Sequence, residues 1–593
     1  MSTETSERAA DNSEATVHDR LDSWKEIASY LKREIRTLHR WEHEEGLPVH
    51  RHLHKKRGTV YAYKSELEAW WQARRPRLEA EGKLEAPTGD ARRRLALRLA
   101  IGLSVALVAA GYWGWQRFQP TARVSTGKVV LVVLPFENLS GDPEQEYLSD
   151  GLTEELIAHL GGLHPERLGV IARATAMKYK VRGKSAAEIG RELNVGYILD
   201  GSVRRAGGTV RITVKVIQVS DQTHVWTKSY ERSPGDILGL QEEIVQAVAR
   251  EIELQLPSRR DLRAERARPV KAEAHEAYLK GLYFWNKFTI DALQKSIEYY
   301  NQALQHEPDY AEAYAGLAAS YTYLGHFGVL PSKQAYTKCW DSAAKAIELD
   351  ATVSFAHSQM GFCTMFLEHD WARAEQEFRR AIQLNPSNGN AHEGYAVLLI
   401  ITKRTDEGLR EIRRAREVDP LSLIINGDVG FMLYFARQFD EAIEQLEKTL
   451  EMDPDLYPTN WILAQVYAAQ GKYDEAHKAH LKTAWSARMS AREPSWGVAV
   501  ERAYRENGWK GRWQKCLEFY MEKARAEGSP LPAFWMAEAY AHVGDKEKTL
   551  EWLEKAADER FYRVTFVGVD PLFDPYRSDP RFQDLVRRMG LPQ

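Results

Sequence analysis

Cysteine is scarce: Cys339, Cys363 and Cys516 are the three in a chain of 593 residues. That excludes a disulfide scaffold, and since none stands in a CxxC, zinc and thioredoxin motifs are excluded too. An excess of charge of one sign is also lacking. Lys plus Arg is 81 against 84 for Asp plus Glu, a net charge of −3. This excludes a histone-like coat and still allows a small basic module in a neutral chain. Neither GxxxxGK[ST] nor GxGxxG occurs, so a nucleotide fingerprint is missing. No HExxH, Ser-His-Asp arrangement, kinase signature or cyclase region is visible, so no catalytic residue, cofactor or metal is expected. What is present is ordinary globular material: 44% hydrophobic and 28% charged residues, which excludes wholesale disorder. The length allows about three to five domains.

Long apolar runs are rare, with one exception. Arg92, Arg93 and Arg94 precede LALRLAIGLSVALVAAGYWGW, residues 95–115. A helix of that length covers about 31 Å, close to a bilayer's hydrocarbon core. Its charge, Arg98, sits one turn from the start and can snorkel, and Tyr112, Trp113 and Trp115 suit the far interface. The expectation is one transmembrane helix at 95–115, with the membrane as a partner. The arginine-rich flank puts the amino terminus in the cytoplasm and residues 120–593 outside a bacterial inner membrane. The three cysteines would then face an oxidising space, with one left over. Gly102, Ala106, Ala110 and Gly114 form a small-residue stripe that would admit a second copy of the chain, a homodimer.

The segment before the run has its own fold signals. Residues 1–20 are polar and acidic, and are expected to be a disordered tail. Ser23 to Glu26 is a capping box opening a short helix through Leu31. A second helix is expected from about Glu34 to Glu44, ending at Gly46, with Ile35 and Leu38 facing a core. Arg33, Arg36, Thr37 and Arg40 recur at helical spacing and share one polar face. Two short helices, the second with a basic stripe, are the arithmetic of a helix-turn-helix. Residues 60–63 read as strand and Lys55-Lys56-Arg57-Gly58 as a basic turn, together a wing. Ser65 to Glu68 is a second capping box, and Trp41, Trp70 and Trp71 read as core. Residues 50–57 hold Arg51, Lys55, Lys56 and Arg57 beside three histidines, a density suited to phosphates. His50, His52 and His54 share a strand face and allow a metal, with phosphate-side histidines favoured. The stretch WKEIASYLKREIRTLHRWEHEEGLPVHRHLHKKRGTVYAYKSELEAWW resembles the winged helix-turn-helix of the MerR and excisionase group. The resemblance implies that Arg36, Thr37, His39 and Arg40 enter the major groove of double-stranded DNA while Lys55–Arg57 grips the backbone. A basic helix that binds a protein partner is the alternative. Residues 21–75 are assigned to this head and 76–94 to a charged linker.

Residues 128–257 read as α/β. KVVLVVLPF is a buried strand, a helix follows from Tyr147 to Leu160, and three strands fall near 197–204, 210–219 and 224–230. Gly207-Gly208 is a hairpin turn. The stretches LPFENLSGDPEQEYLSDGLTEELIAHL, YILDGSVRRAGGTVRITVKVIQ and HVWTKSYER resemble the TolB amino-terminal-like domain of bacterial regulators. That implies a non-catalytic sensory or interaction domain. Asp150, Glu154 and Glu155, near the start of the first helix, read as carboxylates favoured by its dipole.

The remainder has a period. Asn385-Pro386, Asp419-Pro420 and Asp453-Pro454 are spaced by 34 residues. Gly430 and Ala442 in one unit match Ala464 and Ala476 in the next, where paired helices must approach closely. This is the tetratricopeptide repeat, expected over 273–488 in six units, with degenerate units and a closing cap over 489–593. Stacked pairs form a groove that binds a protein or peptide segment. Tyr314, Asn426, Asn460 and Trp461 lie on first helices and are the candidate groove residues, though each could equally be packing.

The expected fold class is therefore multidomain: a small winged helix-turn-helix, one transmembrane helix, an α/β domain and an all-α tetratricopeptide superhelix. The layout is similar to membrane regulators of the cadaverine-operon activator type, with a MerR-like rather than OmpR-like head. The expected function is a membrane-anchored one-component transcription regulator. A membrane-anchored repeat scaffold without DNA binding is the alternative.

Overall fold

A two-residue strand, β1 (Arg20–Leu21), is followed by Ser23, the N-cap of helix α1 (Trp24–Leu31). Its hydroxyl accepts from the Glu26 amide at 3.2 Å, while Glu26 accepts from the Asp22 amide at 2.9 Å. The first bond satisfies an orphan donor of the helix start, and the second ties down the residue ahead of the cap. Lys32 closes α1 in the left-handed region, at φ 50. Helix α2 (Ile35–Glu45), strands β2 (His50–His52) and β3 (Thr59–Tyr63), and helix α3 (Lys64–Ala80) follow. β3 is the centre of a three-stranded antiparallel sheet in the order β1-β3-β2. Leu21, Ile27, Leu38, Leu47, Ala62 and Leu67 are its buried core. The computed structural model describes residues 19–32, 35–52, 59–80, 128–163, 166–180, 183–206, 208–233, 236–252, 270–454, 456–483, 494–527 and 532–592. Residues 1–124 and 125–593 are separate units.

Three local expectations for the head change. Ile35 is exposed, because it is the first residue of α2 and precedes the turn that reaches the core at Leu38. Ser65 lies inside α3 and gives its hydroxyl to the Asp19 carboxylate at 2.5 Å, so it makes no box with Glu68. Trp41 and Trp70 are half-buried, with ring centroids 5.7 Å apart, whereas Trp71 is exposed.

The second unit begins with a sheet. Strands β4 (Val129–Val133), β5 (Glu137–Asn138), β6 (Leu168–Val170), β7 (Tyr197–Ala206), β8 (Thr209–Gln218) and β9 (Thr223–Arg232) are arranged β6-β4-β7-β8-β9, with β5 beside β7. The β6, β4 and β7 pairings are parallel, and β7-β8-β9 is an antiparallel meander. Gly208 turns β7 into β8 at φ +83, a conformation glycine adopts without strain. Helices α4 (Glu146–Leu163), α5 (Arg173–Met177), α6 (Ala186–Leu193) and α7 (Ile237–Glu251) complete the domain. Alternation along β8 buries Val210, Ile212, Val214 and Val216. These meet Leu152, Leu156, Ile244 and Val248 in one core.

Six helix pairs follow among the described residues: α8/α9 (Ala272–Trp285, Ile290–His306), α10/α11 (Ala311–His326, Ser332–Leu349), α12/α13 (Ser354–Cys363, Trp371–Leu384), α14/α15 (Gly389–Ile401, Thr405–Val418), α16/α17 (Leu423–Phe435, Phe439–Met452) and α18/α19 (Tyr457–Ala469, Tyr473–Leu481). First helices pack on the first helices of the next pair. The small positions have a steric cause: a Cβ on Gly430 would lie 2.5 Å from Leu446, and one on Gly394 2.3 Å from Phe378. Cys339 and Cys363 are joined between α11 and α12, with Cα atoms 6.1 Å apart, and Cys516 is a buried free thiol. Helices α20 (Pro494–Glu527, kinked at Asn507-Gly508), α21 (Ala533–Val543) and α22 (Lys546–Glu559) extend the array. Two 3-10 turns, Tyr562–Phe566 and Pro571–Tyr576, and α23 (Pro580–Arg588) end it.

The single transmembrane helix and the inner-membrane, single-pass localisation are corrected. Among the described residues no helix is long and apolar enough to cross a membrane. Residues 95–115, with the stripe from Gly102 to Gly114, lie outside the described residues, as do the tail 1–18 and linker residues 81–94. The fold is a mostly helical tetratricopeptide superhelix with an α/β region, preceded by the small head.

Candidate functional site

In the head, α2 buries Leu38 and turns Arg36 and His39 outward. The His39 ring packs edge-on against Trp24 of α1, centroids 4.3 Å apart. Thr37 and Arg40 also belong to α2. Arg51 of β2 is exposed and gives Nη2 to Glu42 Oε1 at 2.6 Å, tying the sheet to α2. His50 Nε2 lies 2.6 Å from Glu66 and its ring stacks on Tyr61. Arg33, Lys55, Lys56, Arg57 and His54 lie outside the described residues. Among the described residues no group of three or more His, Cys, Asp or Glu could hold a metal.

The three carboxylates of α4 have partners more specific than a dipole. They sit on the second and third turns, not at the start. Asp150 receives Lys180 at 2.6 Å, and Glu154 pairs with Arg173 at 2.8 Å. Glu155, buried, meets His275 of α8 at 3.0 Å and receives Gln241. Burial raises the Glu154 pKa. Burial also pushes Glu155 up, but His275, His159 and the Gln241 amide together outweigh it and hold this carboxyl low. The pairing fastens the α/β domain to the first repeat. A second junction uses the repeat turns. Ser387 Oγ accepts from the Val170 amide at 3.1 Å, Val418 O from the Ala172 amide at 2.8 Å, and Asp419 Oδ1 from the Thr175 amide at 2.7 Å. Thr175 Oγ1 accepts from the Leu421 amide at 2.7 Å. Burial pushes Asp419 up to about 6 despite its bonds to Thr175. The Asn-Pro and Asp-Pro marks thus also serve as docking points for the α/β domain.

The groove face of the middle repeats is covered. Phe431 and Phe435 of α16 take the Phe566 ring, with centroids at 5.5 and 4.8 Å. Tyr434 gives its hydroxyl to Asp570 at 2.7 Å. Arg437 gives Nη1 to Val569 O at 2.7 Å and Nη2 to Asp574 at 2.8 Å. Arg563, buried, lies 3.9 Å over Trp461 of α18. His326 of α10 packs on Tyr562 at 4.4 Å, and the Trp371 indole donates to Met589 O at 3.1 Å. Glu538 of α21 accepts from Gln465 at 2.7 Å, and burial pushes its carboxyl up to about 7. Of the sequence candidates, Trp461 is in this contact. Asn426 spends its amide on Pro420 O and Ser422 O, both at 2.8 Å, and Asn460 on Leu456 O at 3.2 Å. Tyr314 is half-buried between the cores of the first two repeats. Sequence reading missed Phe431, Tyr434 and Phe435. The 34-residue register, extended from Gly430 to its neighbours on the same helix, was the available signal.

Three family matches accompany this architecture. The HilA/YgeH-like transcriptional regulator second domain matches residues 127–248. Tetratricopeptide repeat families match 368–421 and 435–480. Among curated proteins, "Putative adenylate cyclase 3" of Rhizobium meliloti is 31% identical over 257 residues, 43% of this chain and 42% of that protein. The transcriptional regulator HilA of Salmonella typhimurium is 22% identical over 283 residues, 47% of this chain and 49% of that one. The chain thus spans less than half the length of these curated relatives. The solved structure of a thermophilic TPR protein from Thermus thermophilus is 14% identical and covers 33% of this chain and 99% of that one, with a TM-score of 0.29. The chain carries a HilA-like transcriptional regulator domain and tetratricopeptide repeats.

Proposed function

We propose that this chain is a one-component transcription regulator that reads double-stranded DNA through residues 21–75 and binds a protein or peptide segment through its repeats. The observation that carries the reading is the outward Arg36 and His39 on a helix held by Leu38 and Trp24. The same chain carries a domain similar to one in transcriptional regulators. In this reading the head is a MerR- or excisionase-like winged helix-turn-helix. Arg36, Thr37, His39 and Arg40 meet base edges, and Arg33, Arg51, Lys55, Lys56 and Arg57 meet phosphates. The α/β domain, TolB-like in its sequence, acts as a sensory module rather than a catalyst. Incubation of the chain with ATP and magnesium is expected to yield no cyclic AMP; measurable cyclase activity would refute this part.

One head of this size buries about 600–1,000 Å² of protein surface on DNA, so two copies acting together are expected to bind an operator. The test is binding of the chain to genomic fragments, its own upstream region included, across a salt series. Enrichment of a few sites that weakens steeply with salt supports the reading. Arg36→Ala is expected to weaken it. Absence of binding at low salt would leave the rival, a repeat scaffold whose head binds protein.

A further inference from the structure

We propose that the groove face of the middle repeats is a recognition site for an aromatic–arginine–aspartate segment, and that residues 561–576 occupy it as a built-in ligand. A partner of the same chemistry would enter by replacing them. The inference rests on reading the repeats as a segment-binding array, and it names the segment.

Repeat arrays bind along the surface that their first helices present. Here that surface is used by residues more than a hundred positions away in sequence. The contacts differ in kind and alternate along the segment. Tyr562 meets His326, and Arg563 lies over Trp461. Phe566 meets Phe431 and Phe435. Asp570 accepts from Tyr434, and Asp574 from Arg437. Arg437 also bonds the main chain at Val569. Ring pockets, an indole under a guanidinium and a backbone clamp are how a groove reads a segment, whereas a plain core would need only the apolar part. The segment is short and irregular, two 3-10 turns joined by Val567–Asp570, which suits a chain laid into a groove. Its affinity for a partner is then lowered by the fraction of time the groove is closed.

The probe is a fluorescent synthetic peptide with the sequence of residues 560–577. It is titrated into the full chain, into the full chain with Arg563→Ala and Phe566→Ala, and into that double variant with Trp461→Ala added. The double variant is expected to bind the probe at least about tenfold more tightly than the intact chain, and Trp461→Ala to abolish the gain. A folded double variant with the intact chain's affinity overturns the proposal, as does a gain indifferent to Trp461→Ala. Should the double variant not fold, a protease site written into residues 528–531 of the full chain is cut after folding. Exchange of the piece 532–593 for an excess of a labelled copy supports the proposal, and a piece that never exchanges overturns it. DNA binding measured on the same samples keeps this outcome apart from that of the DNA-reading proposal.

Discussion

The head and the repeat groove are both surfaces presented by helices, yet one stays open and the other is closed. On α2 the outward residues include Arg36 and His39, and on the groove face they are Phe431, Tyr434, Phe435 and Trp461. Burying a guanidinium demands a partner, so a charged helix face is stable in water. An aromatic groove left bare exposes a large apolar patch, which monomeric proteins rarely tolerate. The difference teaches that the chemistry of a surface decides whether the chain must cover it, and that a covered groove can still be a binding groove.

The comparison breaks most sharply at Phe566. Phe566→Ala removes a buried ring between two others, and a loss of about 3–5 kcal/mol is expected in chemical denaturation. A loss under about 1 kcal/mol would mean the groove collapses on itself without the segment. Glu538 sharpens the same point through pH. Its carboxyl titrates near 7 in the folded chain, above its ordinary value of 4.5. Its stabilising contribution is full below 4.5 and is lost as pH rises through about 7. Melting temperature is therefore expected to fall over that window, by at most about 3 kcal/mol in stability, and Glu538→Gln to flatten the fall.

Asp419 tests the junction. Asp419→Ala leaves the Thr175 amide without its acceptor and is expected to cost about 1–3 kcal/mol. Asp419→Asn keeps an acceptor oxygen and is expected to cost less, which paired thermal melts would establish. The smallest effect belongs to the head: Arg36→Ala is expected to change stability by less than about 0.5 kcal/mol. On DNA it should weaken binding; unchanged DNA affinity would sink the open-face side of the comparison.

Periodicity made much of this architecture legible. Strand-forming runs and the Gly207-Gly208 turn locate β7, β8 and β9, the Ser23 signal locates α1, and the 34-residue spacing locates the repeat turns. Those signals are local, because they follow from side-chain direction along one element. Residues whose role depends on a distant partner were read less well. Glu155 looked like a dipole-favoured carboxylate, since nothing near it announces His275 or Gln241. Asp419 looked like a repeat punctuation mark, since Thr175 lies 244 positions away. Ile35 was placed in the core by its type, although a first-turn position does not reach it. Asn426 and Asn460 are groove candidates by their place on first helices, and their amides instead bond the carbonyls of their own turns. The apolar run at 95–115 carries length, flanking arginines and an aromatic end, but it lies outside the described residues, among which no helix is long and apolar enough to cross a membrane.

The contact between the last residues and the middle of the array changes how the molecule comes into being. A plain solenoid can nucleate anywhere and grow from neighbour to neighbour. Here Trp371 holds Met589 across 218 positions and Tyr434 holds Asp570 across 136. Pairings of such sequence separation slow folding, because loop closure must precede reward. During synthesis, at about 5–20 residues per second, the aromatic groove emerges well before the segment that covers it. For that interval the nascent chain carries a bare aromatic surface, and a chaperone or an early partner has its opportunity there.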